Sequence, residues 1–137
     1  MDRSECHAVA LQWANQGVAK GNVDVFDRLL APGAIDHSGP APARGSDSFK
    51  DRTRALHAAL SEIEVVVEDL LVDGDRMAWR WTLVARHVGP LLGAAPTGRR
   101  VTLTGVNIQR ISDGRIVEHW SYSDPIGLLR KMQAPEA

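Results

Sequence analysis

The sequence predicts an α+β fold in which an antiparallel sheet carries helices on one face. Three observations support this class. Apolar residues recur at three- and four-residue spacing through the first 60 positions, as on amphipathic helices. From residue 61 onward they alternate with polar residues, as on half-buried strands. Asp73-Gly74 and Asp113-Gly114 stand between apolar runs and predict tight hairpins. At 137 residues the chain suits a single domain spanning 1–137.

Helices are predicted over 4–20, 23–30 and 46–60, with Ser4 as the expected N-cap of the first. Strands are predicted over 34–37, 63–72, 77–88, 101–111 and 114–124, followed by a closing helix over 125–133 and a frayed tail over 134–137. Both faces of the 63–72 strand become apolar near its end, which predicts a bulge or strong curvature there.

The last strand has the most distinctive pattern. Uninterrupted alternation places one set of residues on a single face: Ile116, Glu118, Trp120, Tyr122 and Asp124. An aliphatic residue, two aromatics and a terminal carboxylate are what an apolar pocket with one acid would need. The alternative is that Asp124, directly before Pro125, caps the terminal helix.

Composition excludes several classes of function. A formal net charge of -1 is unlike that of nucleic-acid-binding proteins, and no run approaches the ~20 apolar residues of a membrane span. The five histidines lack metal-ligand spacing, so we expect neither a metal nor another cofactor. Cys6 is the sole cysteine and no leader is visible, so we expect a cytoplasmic protein.

Two stretches resemble a known family. Residues 86–101 resemble the pattern Thr-His-x-Gly-x-x-x-Gly-x-x-Pro-Thr-Gly-Lys-x-Val, and residues 107–120, with Asp124 four positions on, resemble the same family's final hairpin. Both patterns belong to the SnoaL-like polyketide cyclases (ester cyclases) of the nuclear transport factor 2-like superfamily. Gly74–Ala78 fits the preceding hairpin, so the resemblance covers about 5–132.

The resemblance implies a cone: a curved antiparallel sheet wrapped by about three helices around a deep apolar cavity. Characterised members close the last ring of aromatic polyketides by intramolecular aldol condensation without metal or cofactor, and the acid at the position of Asp124 acts as acid/base. Other members hydroxylate polyketides, and distant relatives open epoxides or only bind ligands. The chain departs from the pattern at Ala85-Arg86, where Gly-Thr is usual, and at Asn107, where several cyclases carry histidine.

Three residues are therefore candidates for catalysis. Asp124 is the predicted general acid/base, since a carboxylate among apolar side chains is more basic than in water. Asn107 lies on the predicted pocket side, where its amide would donate to an enolate oxygen, or else it is satisfied within the sheet. His37 would reach the cavity mouth or contact only water. His119, on the face opposite Asp124, is predicted to be structural.

The predicted ligand is a hydrophobic small molecule, expected to be a polycyclic aromatic polyketide. Its predicted contacts are the large apolar side chains of the cavity: Trp13, Phe49, Trp79, Trp81, Leu83, Trp120 and Tyr122. The predicted activity is that of a cofactor-independent polyketide cyclase, and the alternatives are hydroxylation, epoxide opening or ligand binding without catalysis. Apolar residues on the other sheet face predict a homodimer or higher oligomer: Val66, Val106, Ile108 and Val117.

Overall fold

The structure, a computed structural model, describes residues 1–133, and the predicted tail at 134–137 lies outside the described residues. Within this range the chain forms helices α1 to α4 over Arg3–Leu11, Val25–Leu29, Asp47–Ala59 and Pro125–Gln133. Strands β1 to β6 span Leu30–Asp36, Ala43–Arg44, Leu60–Asp73, Arg76–His87, Arg100–Ser112 and Arg115–Ser123. The predicted α+β class, with a curved sheet and helices packed against it, is confirmed.

The first helix differs from its prediction at both ends. Asp2, not Ser4, is the N-cap, because its side chain accepts a hydrogen bond of 2.8 Å from the Glu5 N–H. After α1 the helix widens into a π-helical segment, Gln12–Ala19. Its last carbonyls bond five residues on, as the 3.1 Å bond from the Lys20 N–H to the Asn15 oxygen shows. The wide turns place Trp13 and its neighbours on the cavity wall.

The six strands form one sheet in the order β2-β1-β6-β5-β4-β3. Every neighbouring pair is antiparallel except β1 and β6, which run parallel, so the prediction of a wholly antiparallel sheet is wrong at that pair. The reason is topological: β1 follows the N-terminal helices and lies between β6 and the edge strand β2, with no hairpin connection between β1 and β6.

Bulges bend the sheet around the helices. In β3 the register shifts between Ser61 and Glu64 and again between Val67 and Asp69, so the bulge predicted near the end of this strand lies earlier. In β6 the register shifts after Ile116, which pairs with Ile111, so that Val117 is an extra residue before Glu118. This one-residue insertion decides which side chains of β6 face the cavity.

The buried residues form two clusters on either side of the cavity. One surrounds Trp13, Phe26 and Trp79, beneath the first helices, and the other joins Leu60 and Leu128 where α4 closes the end of the sheet. None of the helices within residues 1–133 is long and apolar enough to cross a membrane. The helices and the concave sheet face thus enclose the site described below.

Candidate active site

A cavity of about 340 Å³ lies between the helices and the concave face of the sheet. Its wall is mainly apolar and includes five of the predicted ligand contacts: Trp13, Phe49, Trp79, Trp81 and Leu83. A few polar side chains interrupt that wall, namely Arg52, Thr53, Asn107, His119 and Ser121. A mostly apolar cavity with a small number of fixed polar groups is typical of a small-molecule site.

Asn107 on β5 is held in one orientation by Trp81 on β4. The Trp81 Nε1–H donates a hydrogen bond of 3.1 Å to Asn107 Oδ1, which directs the amide oxygen at the indole and leaves the NH₂ group for another acceptor. The indole packs closely against Gly105, where an added Cβ would stand 2.4 Å from the Trp81 ring. Asn107 is 5% exposed and lines the cavity.

A second indole holds a second amide one position along the same face. Trp79 Nε1–H donates to Gln109 Oε1 over 3.0 Å, and Gln109 Nε2 lies 2.9 Å from His119 Nδ1 on β6. All three side chains are buried. The two tryptophans, two residues apart on β4, therefore orient the two amides that are two residues apart on β5.

His119 lies among aromatic rings at the cavity wall. It stacks on Trp13 with ring centroids 5.0 Å apart and meets the edge of Phe49 at the same distance. Burial lowers the pKa of His119 to about 3, an effect that the nearby Asp36 carboxylate opposes and Arg52 reinforces. The imidazole is therefore neutral at physiological pH.

Asp36 is buried beside this wall but is already fully engaged. Its carboxylate accepts hydrogen bonds from the Ser38 N–H at 2.9 Å, the Ser48 hydroxyl at 2.8 Å and Arg52 Nη1 at 2.6 Å. Burial alone would raise the pKa of Asp36, but these three donors outweigh it and lower the pKa. Arg52 lines the cavity, and its guanidinium lies over the Phe49 ring while it donates to Asp36. Asp36 is therefore linked to the cavity wall through Arg52.

The bulge at Val117 shifts the alternation of β6 by one residue, so the residues after it face the opposite side from the one predicted. Beyond it, His119 and Ser121 line the cavity, while Trp120 and Tyr122 are outside the lining and Tyr122 is 64% exposed. The prediction that Trp120 and Tyr122 form cavity walls is therefore wrong, because Val117 adds one residue between the buried Ile116 and the rest of the strand.

Asp124 is exposed and outside the cavity lining, so its predicted position on the pocket wall is wrong for the same reason. Its Oδ1 accepts a hydrogen bond of 2.8 Å from the Gly127 N–H in the first turn of α4. This is the helix-capping geometry that the sequence offered as the alternative. Its assignment as general acid/base is not tested by this geometry and stays a prediction.

His37 also lies away from the cavity lining. Its Nε2 is 2.8 Å from Glu118 Oε2, and its ring stacks on Trp120 with centroids 4.7 Å apart. Arg110 bonds the other Glu118 oxygen at 2.7 Å. Hydrogen bonds from His37 and Arg110 lower the pKa of Glu118. His37 was expected either at the cavity mouth or in contact with water alone, and the structure instead places it against Glu118 and Trp120.

The comparisons with known proteins agree with this architecture. The model of the SnoaL-like polyketide cyclase family matches residues 8–132. The chain belongs to that family. It is 32% identical over 113 residues to aklanonic acid methyl ester cyclase DauD of Streptomyces sp. (strain C5), covering 81% of this chain and 68% of that enzyme. It is 32% identical over 123 residues to nogalonic acid methyl ester cyclase of Streptomyces nogalater, covering 84% and 88%.

A solved structure supports the SnoaL-like fold directly. TsrD from Streptomyces laurentii superposes with a TM-score of 0.88 at 28% identity, covering 98% of this chain and 99% of that one. The fold expected from the family resemblance is therefore confirmed. For this member of the family, the cavity lining within residues 1–133 includes no aspartate or glutamate, and no three described His, Cys, Asp or Glu residues are grouped to hold a metal ion.

Sequence reasoning missed His119, Gln109 and Ser121 as cavity-side polar residues. The alternation predicts His119 on the face opposite Asp124, and the structure agrees, but that face is the cavity wall and not the outer face. No residue in the sequence marks the bulge at Val117, which places Ile116 and His119 on the same face of β6 although they are three residues apart.

Proposed function

We propose that this chain is a cofactor-independent cyclase that closes a ring of an aromatic polyketide methyl ester by intramolecular aldol condensation. Its curated relatives include cyclases named for aklanonic and nogalonic acid methyl esters. The cavity of about 340 Å³ falls at the lower end of the range of about 300–1,000 Å³ common for small-molecule sites. Its aromatic walls suit a flat polycyclic substrate.

The reaction requires a base and hydrogen-bond donors from the protein. A base removes a proton from a carbon activated by neighbouring carbonyls, and donors hold the enolate oxygen while that carbon attacks a ketone of the same molecule. The new C–C bond leaves an alkoxide on the attacked carbon, which then takes up a proton. Every atom of the substrate stays in the product, so no second substrate is needed.

The observation that carries the proposal is the Asn107 amide. Its NH₂ group is held in an apolar cavity with its orientation set by the bond from Trp81 to Oδ1. A donor fixed before the reaction stabilises developing negative charge without reorganising, which is why such donors are effective in water-excluded sites. We assign Asn107 to the enolate oxygen.

The general acid/base role of Asp124 remains part of the proposal, and its support is the family resemblance alone. In the structure the Asp124 carboxylate caps α4 at the end of β6. A chemical role would require the substrate to reach that end of the strand. Asp124 and Asn107 have separate roles, so loss of the role at Asp124 would leave that of Asn107 intact.

Steady-state kinetics on an aromatic polyketide methyl ester test the proposal. Asn107→Leu keeps the approximate volume but removes the donor, so we expect kcat to fall by about 10²–10³-fold. Trp81→Phe keeps the wall and removes the bond that orients the amide, and we expect a smaller fall. Thermal melts of both variants control for folding. Turnover by Asn107→Leu at the parent rate would contradict the proposal.

One observation favours a second candidate, ligand binding without turnover. No carboxylate is part of the described cavity lining, and a binding protein has no need of a base. In that case the parent chain would bind aromatic esters by calorimetry while showing no product by mass spectrometry. Product formation that is lost on substitution of Asn107 would identify the chain as a cyclase and not as a binding protein.

The proposed assembly is a homodimer through the convex sheet face, acting in the cytoplasm. Val66 on that face is 51% exposed, and three partly exposed apolar residues share it, Val106, Ile108 and Val117. Cys6 is a free buried thiol, which suits a reducing compartment. Light scattering at micromolar concentration should give twice the mass of one chain, and a monomer would contradict this assembly.

A further inference from the structure

The second amide on β5 determines which nitrogen of His119 carries the proton. An indole N–H can only donate, so Gln109 Oε1 accepts from Trp79 and the Gln109 NH₂ group is directed at His119. Because that group donates, His119 Nδ1 must accept. A neutral imidazole has a single N–H, and it is therefore on Nε2.

The Nε2–H is a donor at the cavity wall. Within residues 1–133 the structure gives His119 one side-chain hydrogen bond, the one at Nδ1. Nε2 is not among the fully buried, unpaired side-chain atoms of the described residues, which are Ser38 Oγ and His87 Nε2. Since His119 lines the cavity, its Nε2–H is open to the cavity space. The stacked Trp13 ring and the Phe49 edge hold the imidazole plane in place. A donor held at the wall of a mostly apolar cavity can form a hydrogen bond with the oxygen of a bound ligand.

We infer that His119 is a second donor of the site, a neutral imidazole whose Nε2–H binds a carbonyl, enolate or phenolate oxygen of an aromatic ligand. Gln109 and Trp79 are positioning residues that act through it. The inference deepens the proposed function, since the ligand is the same oxygen-rich aromatic class. It is tested by NMR and by binding measurements, so its outcome does not depend on whether the chain turns over a substrate.

The position of His119 relative to Asn107 suits a ligand with several oxygens. His119 faces Gln109 across the β5–β6 pair, and Asn107 faces Ser121, the next inward position. Inward residues of one strand are about 7 Å apart. Polyketides carry oxygens on alternate carbons along their skeleton, so the two donors bind different oxygens of one molecule and set its direction in the cavity.

The protonation state is measured by long-range ¹H–¹⁵N NMR on histidine-labelled protein, with His119 assigned by its loss in His119→Phe. We expect a proton on Nε2 and none on Nδ1, unchanged between pH 8 and pH 5. A proton on Nδ1, or an imidazolium in that range, would overturn the inference. Gln109→Glu presents only acceptors, so its expected signature is a protonated Nδ1. An unchanged Nε2–H form in this variant would remove Gln109 from its positioning role.

Binding is measured by calorimetry with 2-naphthol and 2-methylnaphthalene, which have nearly the same shape but differ in one oxygen. We expect the parent to prefer 2-naphthol, and His119→Phe to lose about tenfold of that preference while keeping the aromatic stack. His119→Gln, whose amide places an N–H near the position of Nε2, should recover part of it. The ratio of the two affinities cancels general damage to the cavity.

His87→Phe is the matched control, because His87 is fully buried but is not part of the described cavity lining. Its preference for 2-naphthol should equal that of the parent. An undiminished preference in His119→Phe would contradict the inference. If His119→Phe does not fold, the parent tautomer and the His119→Gln affinities decide. A loss of preference in a chain that shows no cyclase turnover would support the donor and reject the proposed reaction.

Discussion

The two faces of β6 carry neighbouring residues with opposite surroundings. His119 and Ser121 face the apolar cavity, where burial keeps the imidazole neutral. Glu118 and Trp120 face outward, where the carboxylate is bound by His37 and Arg110 and the indole is flanked by His37 and Arg76. The outward face holds the more conspicuous charges, yet the cavity is on the other side. Conspicuous side chains therefore do not locate a site until the register of the strand is known.

The same substitution on both faces gives the largest expected contrast. His119→Glu places an unpaired carboxylate between Trp13 and Phe49, and we expect it to lower the free energy of unfolding by about 4 kcal/mol or to prevent folding. Trp120→Glu puts the charge on the outer face beside Arg76, with an expected cost of about 1 kcal/mol. Urea unfolding measures both. Equal losses of unfolding free energy would mean that His119 is no more buried than Trp120.

Local sequence patterns predict the elements around β6, but they do not predict which face of β6 lines the cavity. The hairpin at Asp113-Gly114, the closing helix Pro125–Gln133 and the cavity-facing stripe on β4 follow from local patterns, and all three are confirmed. The face of β6 does not follow, because a bulge changes parity without any marker residue at Val117. The parallel pairing of β1 with β6 is likewise decided by how the helices pack, beyond any local pattern.

A pH titration of stability distinguishes the two faces through His119. Its pKa is lowered to about 3 in the folded chain, against about 6.5 when unfolded. Below pH 6.5 the unfolded chain binds a proton that the folded chain does not, so stability falls as pH decreases from 6.5 towards 3. The expected slope is about 1 kcal/mol per pH unit.

His119→Gln is the control for this titration, since it cannot take up the proton. The difference between parent and variant isolates His119 from Asp36, Arg52 and His37, the charged or titratable groups around it. Chemical unfolding between pH 7 and pH 4.5 measures both profiles. Parallel profiles would show that burial does not keep His119 neutral.

Two substitutions at Asp124 separate its cap from its proposed chemistry. Asp124→Ala removes the acceptor for the Gly127 N–H and should cost about 1 kcal/mol, while Asp124→Asn keeps an acceptor and should cost little. If Asp124 is also the general acid/base, both variants lose about 10²–10⁴-fold in turnover. Thermal melts and rates are both required. Asp124→Asn that turns over near the parent rate would remove Asp124 from the mechanism.

The smallest expected effect is at Tyr122, which the sequence placed in the ligand site. The side chain is 64% exposed and is not part of the described cavity lining. Tyr122→Ser should change the free energy of unfolding by less than about 0.5 kcal/mol and leave the affinity for 2-naphthol unchanged. Calorimetry measures that affinity, and a large loss would place the ligand on the outer face.

A crystal structure with a bound aromatic ketone or phenol tests the central claim most directly, because it shows which polar atoms converge on the ligand oxygens. We expect the rings to lie between Trp13, Trp81 and Leu83, with one oxygen within hydrogen-bond distance of the Asn107 NH₂ group. A ligand seated against Trp120 and Tyr122, with its oxygen at Asp124, would contradict the assignment of the concave face as the active site.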